Sequence, residues 1–392
     1  MKNILILTPY YPFPEKKELE KDTKAVYYLC KNHTEDEKIT IVYYYLHRRF
    51  QAWKALPRIL KKTEYKDHLY QDDMGQDVLL FEHPCLIPKR LATFHSFDKR
   101  YAEMINQYLR DKQIKPDVLV VHFPLRLTPI AQRIKAKRKV AVIHSHDVQK
   151  RSSLEKVAGY LEGYDAVGYR SKQIKQKVES QKTKYKLPNQ TFITLSGVPD
   201  SVIDESNLNW EWKKDGKLRI AVVSVLNKRK NIETVIKALA ELKDKVDYEM
   251  FILGDGPLRQ QLEQLVVQTG QESVIHFTGR VEREKVFEYL RQSDLFVLVS
   301  FRETLGISYL EAMASGAIVI GSENRGIDGI ATNEKEAFFV NPEDVHQLAS
   351  VIDKVNKMDE KEAWHMKEEA FRLVQSLKES TVSREYIDNI LQ

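Results

Sequence analysis

Residues 295–316 read LFVLVSFRETLGISYLEAMASG. Leu295 to Val299 is a strand-like apolar run, and past a short polar turn the chain turns helical near Gly306, the βα step from which parallel sheets are built. Glu303 and Glu311 lie eight positions apart around the start of that helix, a spacing that lets both carboxylates reach one ligand. Gly306 stands where backbone amides at a helix N-terminus can approach a phosphate with no side chain intervening. Carboxylates accept hydrogen bonds from vicinal hydroxyls. Two of them flanking an anion site therefore bracket a nucleotide sugar, one gripping the ribose and the other the sugar. The competing structural reading is a helix-terminal charge plus one solvated Glu.

The same alternation of strand and helix extends in both directions. Lys2 to Thr8, Lys38 to Tyr45, Asp77 to Glu82, Asp117 to His122, Val140 to His144 and Ala166 to Tyr169 read as strands, with helical stretches such as Asp98 to Asp111 and Thr128 to Ala136 between them. A second series runs through Leu218 to Val225, Tyr248 to Leu253, Val274 to Thr278, Leu295 to Ser300, Ile318 to Gly321 and Ala337 to Val340. The expected fold class is α/β with two doubly wound parallel sheets. Ser196 to Gly216 carries turn residues and no sustained period, so the linker is placed there. The expected domains are 1–200, 201–379 and a C-terminal helix, 380–392, that either packs back on the first domain or ends the chain plainly. Ligands of such sheets bind beyond the carboxyl ends of the strands, which directs attention to a cleft faced by the two domains.

A chain of 392 residues exceeds what one core usually serves, in keeping with two domains. No apolar run approaches membrane-spanning length, and Ile4 to Leu7 is too short for a signal peptide, so a cytoplasmic protein is expected. Cys30 and Cys85 lack metal-site spacing and read as reduced thiols. Charge is split: net +14 over residues 1–200 and −8 over 201–392. The basic half points to an anionic surface or substrate. Nucleic acid is disfavoured, since the cations form no recognisable reader motif.

Other constellations lie at strand ends. Lys228-Arg229-Lys230 precedes a helix from Ile232, where point charge and a forked donor neutralise a pyrophosphate; a solvated loop would use the same residues. Gly254 lies in the turn Gly254-Asp255-Gly256-Pro257-Leu258. Gly279 and Arg280 follow Phe277-Thr278 and offer exposed backbone and a guanidinium that can cover a nucleobase. Strand Val140 to Ile143 ends in His144-Ser145-His146-Asp147, and its neighbour in His122-Phe123-Pro124. These imidazoles can donate to a sugar hydroxyl or manage protons. Zinc is the competing idea, but no fourth ligand is evident and the chain has no Asp-x-Asp triplet, so no metal is expected.

In their order these pieces resemble glycosyltransferase family 4, the group 1 retaining transferases of GT-B fold. The resemblance covers nearly the whole chain. It is strongest from Leu218 to Pro342, through Lys230-Asn231, Gly254 to Leu258, Phe277 to Gly279, Glu303 to Glu311, Glu311-Ala312-Met313-Ala314-Ser315-Gly316 and Gly326-Ile327. It implies two Rossmann-like domains, the first binding the acceptor and the second the donor. It also implies that Lys230 contacts the donor diphosphate, Glu311 the ribose diol and Glu303 the transferred sugar. Amides near Thr304, Leu305, Gly306 and Ile307 would support phosphate or sugar, and His144 or His146 would meet the sugar's primary hydroxyl. Three positions depart from the family pattern. Ser224 or Val225 stands where an Arg is usual, so Arg229 is expected to supply that charge. Pro9 to Thr23 lacks the usual Gly-Gly pair, and Ser196-Gly197-Val198 replaces Asn-Gly-Val.

The implied activity is retaining, metal-independent transfer of a sugar from a nucleotide-diphosphate sugar, a UDP-sugar foremost, to a saccharide acceptor, with no cofactor. Arg48 to Lys62 interleaves cations with Trp, Phe and Leu, which suits an anionic membrane surface, although a surface helix pair broken at Pro57 fits as well. A lipid-linked acceptor in bacterial capsule or exopolysaccharide assembly, with peripheral attachment to the inner face of the cell membrane, is the corresponding expectation. A nucleotide-sugar epimerase and a catalytically silent partner subunit are the alternatives.

Overall fold

The computed structural model describes residues 1–12, 24–47, 63–84, 95–208 and 212–392. The cation-rich stretch Arg48 to Lys62, Cys85 and most of the loop from Pro9 to Thr23 lie outside them. The chain divides into two compact units, Met1–Leu195 with Val382–Gln392, and Ser196–Thr381. The division falls a few residues before the expected boundary. The expected linker belongs to the second unit, where short 3-10 turns at Asp200–Val202, Glu205–Leu208 and Lys214–Gly216 take up its turn residues.

In the first unit the strands are β1 (Lys2–Thr8), β2 (Glu37–His47), β3 (Leu69–Gln71), β4 (Asp77–Pro84), β5 (Val118–His122), β6 (Arg138–Ile143), β7 (Ala166–Tyr169) and β8 (Gln190–Ile193). Their order is β3-β4-β2-β1-β5-β6-β7-β8, all parallel except the antiparallel edge strand β3. Strand β5 shows why the order holds: Val118, Leu119, Val120 and Val121 are all buried, as a strand covered on both faces requires. The helix expected from Thr128 begins at Pro124, because proline is suited to a first helical turn and Phe123 before it takes a left-handed φ of 58°.

The second unit holds β9 (Leu218–Val223), β10 (Tyr248–Leu253), β11 (Ile275–Gly279), β12 (Leu295–Val297), β13 (Ile318–Ser322) and β14 (Phe338–Val340), in the order β11-β10-β9-β12-β13-β14, all parallel. Its core is the apolar run of each strand: Ile220, Val222, Ile252, Phe296, Val297 and Ile320 are fully withdrawn from solvent. Strand order reverses between β9 and β12. The loops leaving their carboxyl ends thus diverge and leave a crevice, the place where such sheets bind ligands. Residues 227–231 leave β9 and residues 300–306 leave β12.

Candidate functional site in the second unit

The loop after β9 is a 3-10 turn, Lys228–Lys230, opened by Asn227, whose side-chain oxygen accepts from the Lys230 amide at 3.2 Å. Asn231 closes it with a left-handed φ of 55°. Its side-chain amide donates to the carbonyls of Val299 at 3.1 Å and Pro342 at 2.7 Å, and its oxygen accepts from the Thr234 hydroxyl at 2.9 Å. Asn231 thereby ties the β9 loop to the β12 loop. The Phe301 amide, donating to the Arg229 carbonyl at 2.8 Å, adds a second tie.

Those ties place Lys230 Nζ 2.6 Å from Glu303 Oε2, with only 11% and 12% of the two side chains exposed. Arg229 reaches the same oxygen at 3.5 Å and also donates to the Arg302 carbonyl at 3.0 Å. Two cations and one carboxylate thus form one cluster with a net positive charge. The helix Ile307–Ala314 begins beside them, with Gly306 at its N-cap at φ 74°. A Cβ at Gly306 would lie 2.5 Å from the Tyr309 ring and 2.9 Å from Glu303 Cγ, so only glycine leaves room for this arrangement. The Leu305 side chain is buried, which leaves its backbone as what it offers a ligand; Thr304 and Ile307 are half-buried beside it.

Glu311 lies one turn into that helix, 8% exposed. Burial pushes its carboxyl pKa up, while an ion pair with Arg283 Nη2 at 2.9 Å works the other way. Glu311 is therefore a desolvated carboxylate with one half-exposed cationic neighbour. Arg283 was missed by the sequence reading: in the helix Arg283–Arg291 it looks like one charge among many, and no local pattern links it to a residue 28 positions on.

The two glycine turns meet at the carboxyl ends of β10 and β11. Gly254, at φ 130°, donates its amide to the Gly279 carbonyl at 2.8 Å. A Cβ at Gly254 would fall 1.9 Å from the Ser224 carbonyl oxygen, so the β10 loop needs glycine to lie against the β9 loop. Arg280 follows Gly279 and is exposed. Strand β11 lies two strands from β9, roughly 10 Å across the sheet. Lys230, Arg229 and Glu303 are thus in contact, Glu311 one turn into the helix Ile307–Ala314 pairs with Arg283 from another helix, and Gly254, Gly279 and Arg280 form a separate group along the same sheet end.

In the first unit the two candidate histidines part company. His144 is half-buried, its ring stacked on Phe123 with centroids 3.7 Å apart and 13° between planes, and its Nε2 lies 3.0 Å from His122 Nδ1. His146, in the turn Ser145–Val148, is exposed. The ordered imidazole cluster at the ends of β5 and β6 therefore contains His122 and His144.

A family model described as glycosyl transferases group 1 matches residues 204–372. Among characterised relatives, the alpha-monoglucosyldiacylglycerol synthase of Streptococcus pneumoniae is 28% identical over 266 residues, 62% of this chain and 59% of that protein. The chain spans under two thirds of that relative, and about two fifths of the glycosyltransferase MJ1607 of Methanocaldococcus jannaschii, to which it is 30% identical over 158 residues. Sucrose-phosphate synthase from Thermosynechococcus elongatus shares the fold at TM-score 0.70 and 17% identity, over 99% of this chain and 98% of that one. Anabaena HepE in complex with UDP does so at TM-score 0.69 and 16% identity, over 99% of both chains. The parallel sheets of the two units are those of the GT-B fold, and residues 204–372 match the glycosyl transferases of group 1.

Proposed function

We propose that this protein moves a sugar from a nucleotide-diphosphate sugar, a UDP-sugar foremost, to a saccharide acceptor, with retention of configuration and no metal. The observation that carries the reading is the Lys230–Glu303 pair at the point where strand order reverses in the second unit. The donor diphosphate takes Lys230 and Arg229 as its counter-charges, which frees Glu303 to accept from hydroxyls of the transferred sugar. Glu311 accepts from the ribose hydroxyls. Gly254, Gly279 and Arg280 line the path of the nucleoside along the sheet end, and His144 offers its ring to the sugar.

As the bond to the diphosphate breaks, negative charge grows on the leaving phosphate, and the two cations stabilise it without reorganising. The phosphate itself takes the acceptor proton, so no protein nucleophile is required. Positioning supplies the remainder of the rate. Two cations on the diphosphate perform the charge neutralisation otherwise done by a divalent ion, which supports the metal-free reading.

For the acceptor we favour a lipid-linked saccharide of cell-surface polysaccharide synthesis, reached from the cytoplasmic face of the membrane. The basic first half and the Arg48 to Lys62 stretch support it, as does likeness to a synthase named for a glucosylated diacylglycerol. No helix among the described residues is long and apolar enough to cross a membrane. Incubating the protein with UDP-, GDP- and ADP-sugars, with and without lipid-linked saccharides, tests the reading by product analysis. Transfer that requires acceptor supports it. A changed sugar nucleotide without acceptor would show an epimerase, and donor binding with no product would show a silent subunit.

A further inference from the structure

Arg325 stands in the loop that leaves β13, and no step of the proposed transfer uses it. Its side chain is half-buried. The Nη1 atom is closed to solvent and has no hydrogen-bond partner among the described residues. A buried donor without a partner is costly, the more so on a charged group, so a guanidinium placed this way calls for an acceptor from outside the chain.

The loop is pinned where it stands. The Glu323 amide donates to the Val340 carbonyl at 3.0 Å, the Asn324 amide to the Asp328 carboxylate, and the Asp328 amide to the Arg325 carbonyl at 3.2 Å. Next to Arg325, the Gly326 amide donates to the Glu303 carbonyl at 3.3 Å. A Cβ at Gly326, on a backbone with φ 62°, would fall 2.9 Å from the Tyr309 ring and 3.6 Å from Glu303 Cβ. Glycine therefore lets this loop lie against the one that carries Glu303. The Glu303 carboxylate itself is already held by Lys230 and Arg229.

Strand order indicates which part of a donor Arg325 meets. Strands β9, β12 and β13 are consecutive in the sheet, neighbours lying about 4.8 Å apart, so the loops of Lys230 and Arg325 leave strands on either side of the one leading to Glu303. With the diphosphate on Lys230 and Arg229 and the transferred sugar on Glu303, the acceptor for Arg325 belongs to the sugar. The planar guanidinium fork matches a carboxylate, and it offsets the repulsion that a second carboxylate would feel beside Glu303. A neutral hexose supplies only hydroxyls, which leave the half-buried charge uncompensated.

We propose that Arg325 binds a carboxylate on the transferred sugar, so that the donor is a nucleotide-diphosphate hexuronic acid. The proposal rests on the transferase reading and narrows its substrate class.

Calorimetric titration of the full chain with UDP, UDP-glucose, UDP-galactose and the two corresponding uronic acids tests it, in wild type and in Arg325→Gln. One of the uronic acid donors is expected to bind wild type at least about tenfold more tightly than its neutral counterpart, the advantage of one charge-assisted pair. In Arg325→Gln that preference is expected to vanish with the Kd of UDP unchanged, and Arg325→Lys is expected to recover part of it. A wild-type chain that binds UDP but shows no preference for either acid overturns the proposal and leaves the transferase reading intact. A preference that survives in Arg325→Gln overturns it as well. So does an Arg325→Gln variant that loses UDP and the acids alike, which would put the guanidinium on the diphosphate. The wild-type ratios decide even if the variants fail to fold. Failure of all five compounds to bind wild type would strike the UDP-sugar reading itself, and this assignment with it.

Discussion

Lys230 and Glu303 pair across 2.6 Å with little of either side chain exposed, and in the proposed function each holds the place of a ligand group for the other. Lys230→Ala is expected to cost about 10²–10³ in kcat, the usual loss for one preorganised charge donor, and about 1–3 kcal/mol of stability, because Glu303 loses its closest partner while largely buried. Steady-state kinetics and chemical denaturation measure the two; wild-type kcat in Lys230→Ala would contradict the role. Glu311 sets a pH dependence whose sign is fixed. Its folded pKa is raised by burial, so the folded state holds a proton that the unfolded state releases, and stability falls as pH rises between the unfolded and folded values. With Glu311 in its proposed role, donor binding is expected to run the opposite way, because the carboxylate is the better acceptor for a diol. Arg283→Gln removes the cation that lowers this pKa. The variant is expected to lose UDP affinity at a higher pH than wild type as the solution is acidified, which calorimetric titration across pH 5 to 8 would show. Superimposable pH profiles would remove Arg283 from the site.

At the scale of elements, the helix Ile307–Ala314 is set by the clearance at Gly306. Gly306→Ala puts a Cβ against both the Tyr309 ring and Glu303 Cγ on a backbone with positive φ. It is expected to destabilise by more than about 1 kcal/mol and to lower kcat by displacing Glu303. An unchanged melting temperature with full activity would show that the loop yields freely. The sequence revealed most of these elements, because strands buried on both faces are written as apolar runs: Leu295 to Val299 and Leu218 to Val223 need no tertiary information. It did not reveal β3 or β8. Leu69–Gln71 is an edge strand of three residues, and Gln190–Ile193 is only partly buried, so neither has an apolar run to detect. The site was legible where its groups are close in sequence or punctuated by glycine, as around Gly306. Arg283 was not, because an Arg in a charged helix acquires its meaning only from partners brought up by the fold.

For the molecule as a whole, two units mean that the last helix belongs to the first sheet rather than to its sequence neighbours. Val382, Tyr386, Ile387 and Ile390 are buried, and Arg384 holds Glu37 through two hydrogen bonds at 2.9 and 2.7 Å. Each such apolar side chain contributes about 1.5–3 kcal/mol, a total comparable with the net stability of a domain. A chain truncated after Thr381 is expected to lose protease resistance across residues 1–195 while residues 196–381 stay resistant. The charge split makes a second prediction: flotation with anionic vesicles at low ionic strength, lost as salt screens the surface. Failure to float would remove the membrane-attached acceptor and leave the transferase intact. The most direct test of the central claim, that the crevice holding Lys230 and Glu303 receives a nucleotide diphosphate, is the melting temperature with UDP, GDP and ADP. At 100 times Kd the binding nucleotide stabilises by about 2.7 kcal/mol, so one of the three should raise the wild-type melting temperature by several degrees and leave folded Lys230→Ala nearly unmoved. No shift with any of them, or an equal shift in Lys230→Ala, would contradict the account.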